Sequence, residues 1–300
     1  MSGILLLGAG GQLGREVVAL ASERRRPLVA LDRAGLDIGD EAAVNRLFDE
    51  HRPDLVINAA AYTAVDRAES ERDSAWRVNA VAPGVIASAS ARIDAALIHI
   101  STDYVFDGTG QGAYLESDPV APLGVYGASK AEGEGAVRRA LGRHLILRTS
   151  WVYGRHGHNF LKTMLRLGAE RDRLTIVADQ FGCPTATRDI AEGLFAAADA
   201  LLRDTSVAGT YHLAGTGVTN WFGFADAILA RAALHTGRKP EVVAITTADY
   251  PTPARRPANS ELSSELFART FGFRAAPWRQ RVDEVVDDLL GPRAGERGRP

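Results

Sequence analysis

The sequence contains very little cysteine, and its charges nearly cancel. Cys183 is the single cysteine among 300 residues, which excludes an internal disulfide and fits a reducing compartment. Lysine and arginine number 35 against 37 acidic residues, and the net charge of −2 gives no sign of a nucleic-acid partner. No apolar run approaches the roughly 20 residues of a membrane span, and no basic leader precedes the first apolar segment. We therefore expect a cytoplasmic globular protein with neither a membrane nor a nucleic-acid partner.

Short apolar runs alternate with amphipathic stretches over the first half of the chain. Buried strands are expected at residues 4–7, 28–31, 53–57, 96–100 and 145–147. Helices are expected at residues 12–23, 41–50 and 70–92, and around residues 126–130. The alternation predicts an α/β fold with a Rossmann-like, doubly wound parallel sheet, and a dinucleotide-binding domain over residues 1–150.

Beyond residue 150 the alternation weakens. Residues 151–290 are predicted to form a smaller, mainly substrate-binding domain, from which a strand near residues 210–213 returns to the main sheet. Helices are expected at 159–167 and 189–202, a strand at 174–177, and loops at 179–187 and 250–260. Glycine, proline and charge dominate residues 291–300, which predicts a disordered tail. The histidines lack the spacing of zinc ligands, so no zinc site is expected at His156, His158, His212 or His235.

Three glycines, Gly8, Gly11 and Gly14, follow the first strand and open the first helix. Without side chains they permit a tight turn, and they let the backbone approach a pyrophosphate at the positive end of the helix. Their placement between a strand and a helix predicts a dinucleotide site.

Asp32 and Arg33 follow the second strand, and each favours a different cofactor. An acid about 20 residues beyond the glycines can bind the adenosine ribose hydroxyls of NADH, whereas an arginine can bind the 2′-phosphate of NADPH. The choice stays open, and Asp32 could instead cap the next segment. Asp37 and Ile38 could line the adenine pocket, although an N-cap role for Asp37 fits equally well.

The third strand ends in three alanines, followed by Tyr62 and Thr63. Small side chains such as Ala61 at this edge leave room for a ligand, or they reflect tight packing. Asn79 lies within the predicted helix at 70–92. A buried asparagine needs hydrogen-bond partners, so Asn79 could contact the cofactor or bond a neighbouring strand.

Tyr126 and Lys130 lie four positions apart, so on a helix they share one face, one turn apart. The Lys130 ammonium is expected to lower the pKa of the Tyr126 phenol from about 10, making it a proton donor and acceptor near neutral pH. Ser101 and Thr102 end the fourth strand, where a hydroxyl could bind the carbonyl that Tyr126 protonates. Because side chains alternate along a strand, one of these two is expected to face the site.

The proline-rich segment at 250–260 contains the adjacent residues Arg255 and Arg256. They could bind a diphosphate, or they could be ordinary surface arginines.

Together these stretches resemble the extended short-chain dehydrogenase/reductase superfamily, and within it the dTDP-4-dehydrorhamnose reductase family. The resembling segments lie at residues 8–14, 58–66, 101–106, 125–130, 148–153, 159–165, 179–185 and 250–260. The resemblance implies hydride transfer from NADPH or NADH to the C4 ketone of dTDP-4-dehydro-L-rhamnose. That reaction completes the synthesis of dTDP-L-rhamnose, a sugar donor for cell-wall polysaccharide.

The resemblance and the motifs together assign three groups of site residues. The cofactor group is Gly8, Gly11, Gln12, Leu13, Gly14, Asp32, Arg33, Asp37, Ile38, Ala61, Tyr62, Thr63, Asn79, Tyr126 and Lys130. The catalytic group is Thr102, Tyr126 and Lys130, with Tyr126 as the proton donor. The substrate group is Thr102, Asp103, Trp151 and Arg256, with Trp151 packing against the sugar.

Two other functions remain open for a chain of this kind. Related epimerases and dehydratases act on nucleotide sugars with the same catalytic group, and they retain their nicotinamide between turnovers. A regulatory subunit of methionine adenosyltransferase also resembles the reductase family, yet it works as a binding partner rather than an enzyme.

Some members of the resembling family gather three acidic residues around Mg²⁺ between two subunits. Here Glu16 and Asp288 match two of the positions, but the remaining one falls on Arg188. Because a guanidinium repels a cation, we expect no metal, and we expect Arg188 to pair with Glu16 or Asp288. Asp189 is turned by about 100° from Arg188 on a helix and should not substitute for it. The protein is expected to be a monomer, or a homodimer held by other contacts.

Overall fold

Residues 3–291 are described by a computed structural model, and their first half alternates strands with helices. The elements are β1 (Ile4–Leu7), α1 (Gln12–Glu23), β2 (Leu28–Leu31), α2 (Glu41–His51), β3 (Leu55–Asn58), α3 (Val65–Ala68), α4 (Arg72–Trp76), a π-helical turn (Arg77–Val81), α5 (Ala82–Arg92), β4 (Ala96–Thr102), a 3-10 turn (Asp103–Val105), α6 (Val125–Ala140) and β5 (His144–Thr149). The predicted tail at 291–300 lies, except for Gly291, outside the described residues.

The second half contains shorter strands and longer connections. Its elements are β6 (Val152–Tyr153), α7 (Phe160–Glu170), β7 (Arg173–Val177), β8 (Phe181–Gly182), β9 (Thr185–Ala186), α8 (Thr187–Arg203), a 3-10 turn (Thr205–Val207), β10 (Gly209–His212), β11 (Thr219–Asn220), α9 (Trp221–Thr236), β12 (Glu241–Ile245), a 3-10 turn (Thr247–Asp249), β13 (Asn259–Ser260), α10 (Glu265–Phe271) and α11 (Trp278–Leu290).

The main sheet has six parallel strands in the order β10-β5-β4-β3-β1-β2. The predicted doubly wound α/β fold is therefore confirmed, and so is the strand that returns from the second half to pair with β5. The chain reverses direction across the sheet beside β1, because β2 lies on one side of it and β3 on the other. Open sheets of this kind bind ligands at the carboxyl ends of the strands, at such a reversal.

Alternate residues of the strands pack against two different helix layers. Ile4 and Leu6 face a core that includes α1, α8 and α10, whereas Leu5 and Leu7 face one that includes α2, α5 and α6. A third cluster joins α7, α9 and α11 in the second half. Because α8 and α10 cover the main sheet, the division at residue 150 stays a prediction. Among the helices of residues 3–291, none combines the length and the apolar character needed to cross a bilayer.

Three segments differ from the predictions, one of them the loop expected at 250–260, which ends in the two-residue strand β13. The helix expected at 70–92 is interrupted by the π-helical turn Arg77–Val81, which the apolar periodicity does not reveal. The loop expected at 179–187 contains the two-residue strands β8 and β9, and α8 begins at Thr187. Strands of two residues are too short to show a period of two in a sequence.

Helix α6 approaches its neighbours so closely that two of its residues must be glycine. A Cβ at Gly127 would lie 2.0 Å from the Tyr104 carbonyl oxygen, and one at Gly133 would lie 2.0 Å from the Asn79 carbonyl oxygen. Each obstacle is backbone, which cannot rotate away as a side chain can. The depth of α6 on the sheet, and with it the position of Tyr126 and Lys130, depends on these two glycines.

The Gly133→Ala substitution is expected to destabilise the protein by about 1–3 kcal/mol, the usual cost of overpacking. Gly135→Ala in the same helix is the matched control, because its Cβ would meet the end of the flexible Arg139 side chain at 3.1 Å. That control should be neutral or stabilise the protein by up to about 1 kcal/mol, through helix propensity. Urea unfolding measures the free energy of unfolding of each variant. Equal unfolding midpoints for Gly133→Ala and Gly135→Ala would show that the close approach at Gly133 does not require glycine.

Candidate active site

A cavity of about 820 Å³ opens at the carboxyl ends of the main-sheet strands. This volume is within the usual range of small-molecule sites, about 300–1,000 Å³. Of the predicted site residues, all of which are described, every one lines the cavity except Gly14 and Asn79. The fold therefore brings the cofactor, catalytic and substrate groups to one continuous space.

The glycine turn after β1 forms one wall of this cavity. Gly8 has a φ of +86°, and a Cβ there would lie 2.6 Å from the Ala60 nitrogen of the neighbouring turn. Gly14 lies behind the turn, where a Cβ would approach the Gly8 carbonyl oxygen to 2.2 Å. Gly11 is the N-cap of α1, and no side chain of residues 3–291 caps that helix end. The free N–H groups at the helix N-terminus fit the pyrophosphate of a dinucleotide.

Charged side chains surround the cavity beyond β2. Asp32 Oδ1 accepts hydrogen bonds from the backbone nitrogens of Ala34 and Gly35, at 3.0 and 3.1 Å. The carboxylate therefore orders the next turn, as the alternative interpretation expected, while it also lines the cavity. Arg33 is exposed beside it.

Asp37 pairs with a residue that the sequence did not single out. Its Oδ2 lies 3.0 Å from Arg77 Nη1, and Arg77 itself lines the cavity. The Gly39 N–H, followed by the Arg77 guanidinium, lowers the pKa of the Asp37 carboxyl below its usual value. Arg77 belongs to the π-helical turn, so its direction could not be read from helical periodicity.

Asn79 lies behind the cavity wall rather than in it. Its Oδ1 accepts from the Tyr62 nitrogen at 2.8 Å, and its Nδ2 donates to the Tyr62 carbonyl at 3.0 Å and to Ser129 Oγ at 3.2 Å. Of the two roles left open, the structure favours bonding to the segment after β3. Asn79 fixes the backbone of Tyr62, which lines the cavity. Asn79 itself is not among the lining residues, so nothing in the described part of the chain supports its predicted contact with the dinucleotide.

Ser101 and Thr102 point in different directions at the end of β4. Ser101 Oγ donates to Glu134 Oε1 at 2.6 Å, which commits its side chain to α6. Thr102 Oγ1 donates to Asp103 Oδ1 at 3.0 Å, and a hydrogen bond between Thr102 and the Tyr126 phenol counters the effect of burial on that phenol. Both residues line the cavity. The bond to the Tyr126 phenol favours Thr102 as the hydroxyl that faces the substrate, and this stays a prediction.

The predicted lowering of the Tyr126 pKa is wrong in this structure. Burial raises the pKa of Tyr126 above its usual value, and the charge of Asp103 adds to the rise. Lys130 Nζ is hydrogen-bonded to the Ile100 carbonyl at 2.6 Å, not to the phenol, and lies 3.4 Å from His99 Nε2. Burial also lowers the pKa of Lys130 to about 8, although the Glu134 carboxylate opposes that change.

We call the end of the cavity lined by Thr102, Tyr126 and Lys130 the reactive end, and the buried carboxyl group of Asp103 lies beside it. Burial raises its pKa to about 6, while hydrogen bonds from Ser260 and Thr102 act in the opposite direction. Tyr104 packs edge-on against the Tyr126 ring, with centroids 5.4 Å apart. These neighbours hold the phenol in place.

Two tryptophans form the wall near the second half of the chain. The Trp151 ring stacks on Trp221, with centroids 3.6 Å apart and an interplanar angle of 8°. Trp151 has an unusual φ of +46°, and Gly182 leaves room for its ring, since a Cβ there would lie 2.6 Å from Trp151 Cε2. Trp221 and its neighbour Phe160 line the cavity but were missed from the sequence. Asn220, an N-cap immediately before Trp221, was the available signal for the helix start but not for the contact.

One of the paired arginines reaches the cavity. Arg256 Nη2 lies 2.8 Å from Asp66 Oδ2, and its Nη1 lies 3.3 Å from the Tyr104 hydroxyl. Arg255 is exposed and, among the described residues, stands apart from the cavity lining. Of the two arginines, Arg256 is therefore the one placed to bind a diphosphate in the cavity.

The acidic positions considered for Mg²⁺ lie in a second, charged depression. Arg188 Nη1 is 3.9 Å from the buried Glu16 carboxylate, so that expected ion pair is present. Arg155 approaches Glu16 more closely, at 2.8 Å, and it pairs with Asp288 at 3.7 Å. Asp189 turns away to bind Arg281 at 2.7 Å, as its helical position implied. Within residues 3–291, no three His, Cys, Asp or Glu side chains gather as metal ligands would.

Comparison with known proteins agrees with this geometry. The sequence model of the RmlD substrate binding domain matches residues 1–290. The chain is 45% identical over 295 residues to a dTDP-4-dehydrorhamnose reductase of Burkholderia thailandensis, covering 96% of this chain and 99% of that relative.

Two solved structures with the same description are similar over nearly their whole length. The one from Clostridium acetobutylicum has a TM-score of 0.90 and 38% identity, covering 96% of this chain and 99% of that chain. The one from Bacillus anthracis, in complex with NADP, has a TM-score of 0.88 and 36% identity, covering 96% and 100%. The chain therefore belongs to the dTDP-4-dehydrorhamnose reductase family.

Proposed function

We propose that this protein reduces the C4 ketone of dTDP-4-dehydro-L-rhamnose with NADPH or NADH, giving dTDP-L-rhamnose. One observation carries the proposal: a single cavity joins the uncapped N-terminus of α1 to Thr102, Tyr126 and Lys130. The relative from Burkholderia thailandensis is named for this activity, and the solved Bacillus anthracis relative holds NADP.

The cofactor site would extend from β2 to the end of β4. Gly11, Gln12 and Leu13 would hold the pyrophosphate, and Asp32 with Arg33 would face the adenosine ribose. The remaining cofactor contacts would come from Gly8, Asp37, Ile38, Ala61, Tyr62, Thr63, Tyr126 and Lys130, all of which line the cavity. When bound, the reduced cofactor supplies a hydride to the carbonyl carbon of the substrate.

Tyr126 donates its phenolic proton to the carbonyl oxygen, so that hydride and proton together convert the ketone into a secondary alcohol. Its raised pKa keeps the phenol protonated at neutral pH, which is the form that a reductase needs. Thr102 would donate to the same oxygen by turning its single hydroxyl proton away from Asp103 Oδ1, to which it donates at 3.0 Å. The Lys130 ammonium is present below its pKa of about 8 and lies one helical turn from Tyr126. Although Nζ is hydrogen-bonded to the Ile100 carbonyl and not to the phenol, its positive charge would favour the phenolate that remains after the transfer.

The substrate would occupy the end of the cavity between β4 and the second half of the chain. The cavity-lining parts of the stacked Trp151 and Trp221 rings offer an apolar surface for the sugar, and Asp103 lines the same cavity. Arg256 would bind the diphosphate by charge-assisted hydrogen bonds, exchanging part of its contact with Asp66. We further propose that the protein works in the cytoplasm, as a monomer or a homodimer.

The decisive experiment follows NADPH or NADH oxidation with dTDP-4-dehydro-L-rhamnose as the substrate. Turnover with release of oxidised cofactor is expected. Purified protein that retains its nicotinamide and interconverts nucleotide sugars without net oxidation would favour an epimerase or dehydratase. A stable protein that binds neither substrate nor cofactor would favour the regulatory role.

Tyr126→Phe is expected to fold normally and to lose on the order of 10²–10⁴-fold in kcat, the usual contribution of a general acid. Tyr211→Phe is the matched control, since its hydroxyl binds the Val207 carbonyl at 2.9 Å away from the cavity. The control should keep its turnover. A Tyr126→Phe enzyme within a few-fold of the parent would disprove the role of Tyr126.

Both NADH and NADPH are expected to serve as reductants, because Asp32 repels a 2′-phosphate while Arg33 attracts it. Arg33→Ala should raise KM for NADPH by about tenfold, the value of one charge-assisted hydrogen bond, and affect NADH less. Arg255→Ala removes the same charge from an exposed position and serves as the control. An equal loss with both cofactors would show that Arg33 points elsewhere.

Activity is expected to need no divalent metal, because Arg155 and Arg188 supply positive charge beside Glu16 where a cation would otherwise lie. Turnover should be the same with EDTA and with added Mg²⁺. A loss with chelator that Mg²⁺ restores would contradict this prediction.

A further inference from the structure

A line of buried polar groups runs beneath the reactive end of the cavity and ends on Lys130. It begins at the backbone nitrogen of Ala60 and passes through the side chains of Asn58 and His99. Asn58 and His99 are fully buried, and Lys130 is 2% exposed. Within the described residues neither Asn58 nor His99 lines the cavity, so the proposed reaction does not use them directly.

The Ala60 N–H, which can only donate, determines which groups along this line are donors and which are acceptors. The Ala60 N–H donates to Asn58 Oδ1 at 3.2 Å, which turns the amide nitrogen Nδ2 towards His99 Nδ1 at 3.1 Å. An amide nitrogen can only donate, so Nδ1 must accept. Burial holds the pKa of His99 well below its usual value, and the ring is neutral at neutral pH. A neutral imidazole carries one proton, which therefore lies on Nε2.

That proton points towards Lys130. His99 Nε2 lies 3.4 Å from Lys130 Nζ, which also donates to the Ile100 carbonyl at 2.6 Å. An ammonium has three donors and no acceptor, whereas an amine has a lone pair. A donor aimed at Nζ therefore favours the amine over the ammonium.

Other titratable groups around Lys130 act in different directions. Tyr126 lies one turn before it on α6, and Glu134 one turn after. The Glu134 carboxylate raises the pKa of Lys130, but Glu134 is itself paired with Arg148 of β5 at 2.7 Å, which weakens that effect. His99 is the titratable group of β4 in contact with Nζ.

We propose that Asn58 and His99 are positioning residues that present a hydrogen-bond donor to Lys130 Nζ and thereby set the pH at which Lys130 loses its charge. Because the ammonium supports the Tyr126 phenolate, activity should fall as the pH rises through this point. The line of hydrogen bonds from Ala60 through Asn58 and His99 thus determines the pH above which the enzyme loses activity, while Nζ stays bonded to the Ile100 carbonyl. This effect on activity rests on the proposed reduction. The donor-to-acceptor direction of the hydrogen bonds through Asn58 and His99 does not.

The direction is tested by NMR on protein labelled with ¹⁵N-histidine, with the His99 signals identified by their loss in His99→Leu. Between about pH 6 and 9, we expect a proton on Nε2 and a lone pair on Nδ1. A proton on Nδ1, or an imidazolium, would overturn the proposal. This measurement needs neither cofactor nor turnover.

The effect on Lys130 is measured by ¹³C-lysine NMR, since Lys130, Lys162 and Lys239 are the three lysines of the sequence. In His99→Leu the pKa of Lys130 should rise by roughly one unit, a tenfold change in its dissociation constant. The alkaline limb of kcat/KM should move upward by the same amount. An unchanged Lys130 titration would refute the role of His99.

Asn58→Asp provides a second, independent variant, because a carboxylate can only accept. It should move the His99 proton to Nδ1, present a lone pair to Nζ and raise the pKa of Lys130 in the same direction. No change in either signal would overturn the proposal even if His99→Leu fails to fold.

Ile98→Val is the matched control, since it loosens β4 at a side chain on the opposite face from His99. It should leave the Lys130 titration unchanged; an equal shift in this control would show that general loosening is responsible. Absence of reductase turnover in the parent protein would refute the proposed function alone, because both NMR titrations would still decide the role of Asn58 and His99.

Discussion

The ion pair between Glu134 of α6 and Arg148 of β5 is the interaction on which the reactive end of the cavity depends. Arg148 binds both carboxylate oxygens, through Nε at 2.8 Å and Nη2 at 2.7 Å, and both side chains are buried. Ser101 donates to the same carboxylate. These bonds join α6 to the adjacent strands β4 and β5, and they fix both the distance of α6 from the sheet and its rotation about its own axis. Because Tyr126, Lys130 and Glu134 lie on one face of α6, fixing Glu134 also fixes the other two.

The burial that builds this site also determines its protonation states. Desolvation disfavours the charged form of every group, so it raises the pKa of Tyr126 and lowers that of Lys130. The two shifts oppose what a simple pairing of tyrosine and lysine would give. They nevertheless suit a reduction, which begins with a protonated phenol. In the proposed reaction, charge would appear at the phenol only after the proton has left, and the Lys130 ammonium one turn away would then favour it.

Local sequence patterns predicted most of the fold because the main sheet is parallel and covered on both faces. Strands such as β1 and β3 must then be continuously apolar, and the glycines after β1 must be small, whatever the rest of the chain does. The patterns failed where the structure depends on two-residue strands, as at β8 and β9, or on a π-helical turn, as around Asn79. Neither feature has a period that a linear sequence can display.

The sequence by itself determined the alternation of strands and helices from which the doubly wound sheet was predicted, the helical face shared by Tyr126 and Lys130, and the placement of the dinucleotide turn. Each of these depends on residues close together in the chain. Tertiary structure alone decided that Ser101 bonds Glu134 whereas Thr102 bonds Asp103, and that Trp221 stacks on Trp151. It also decided that Arg256 rather than Arg255 lines the cavity, and that Tyr126 holds its proton more tightly than a free phenol. These outcomes depend on burial and on contacts between distant segments, and such contacts form only when the whole chain packs.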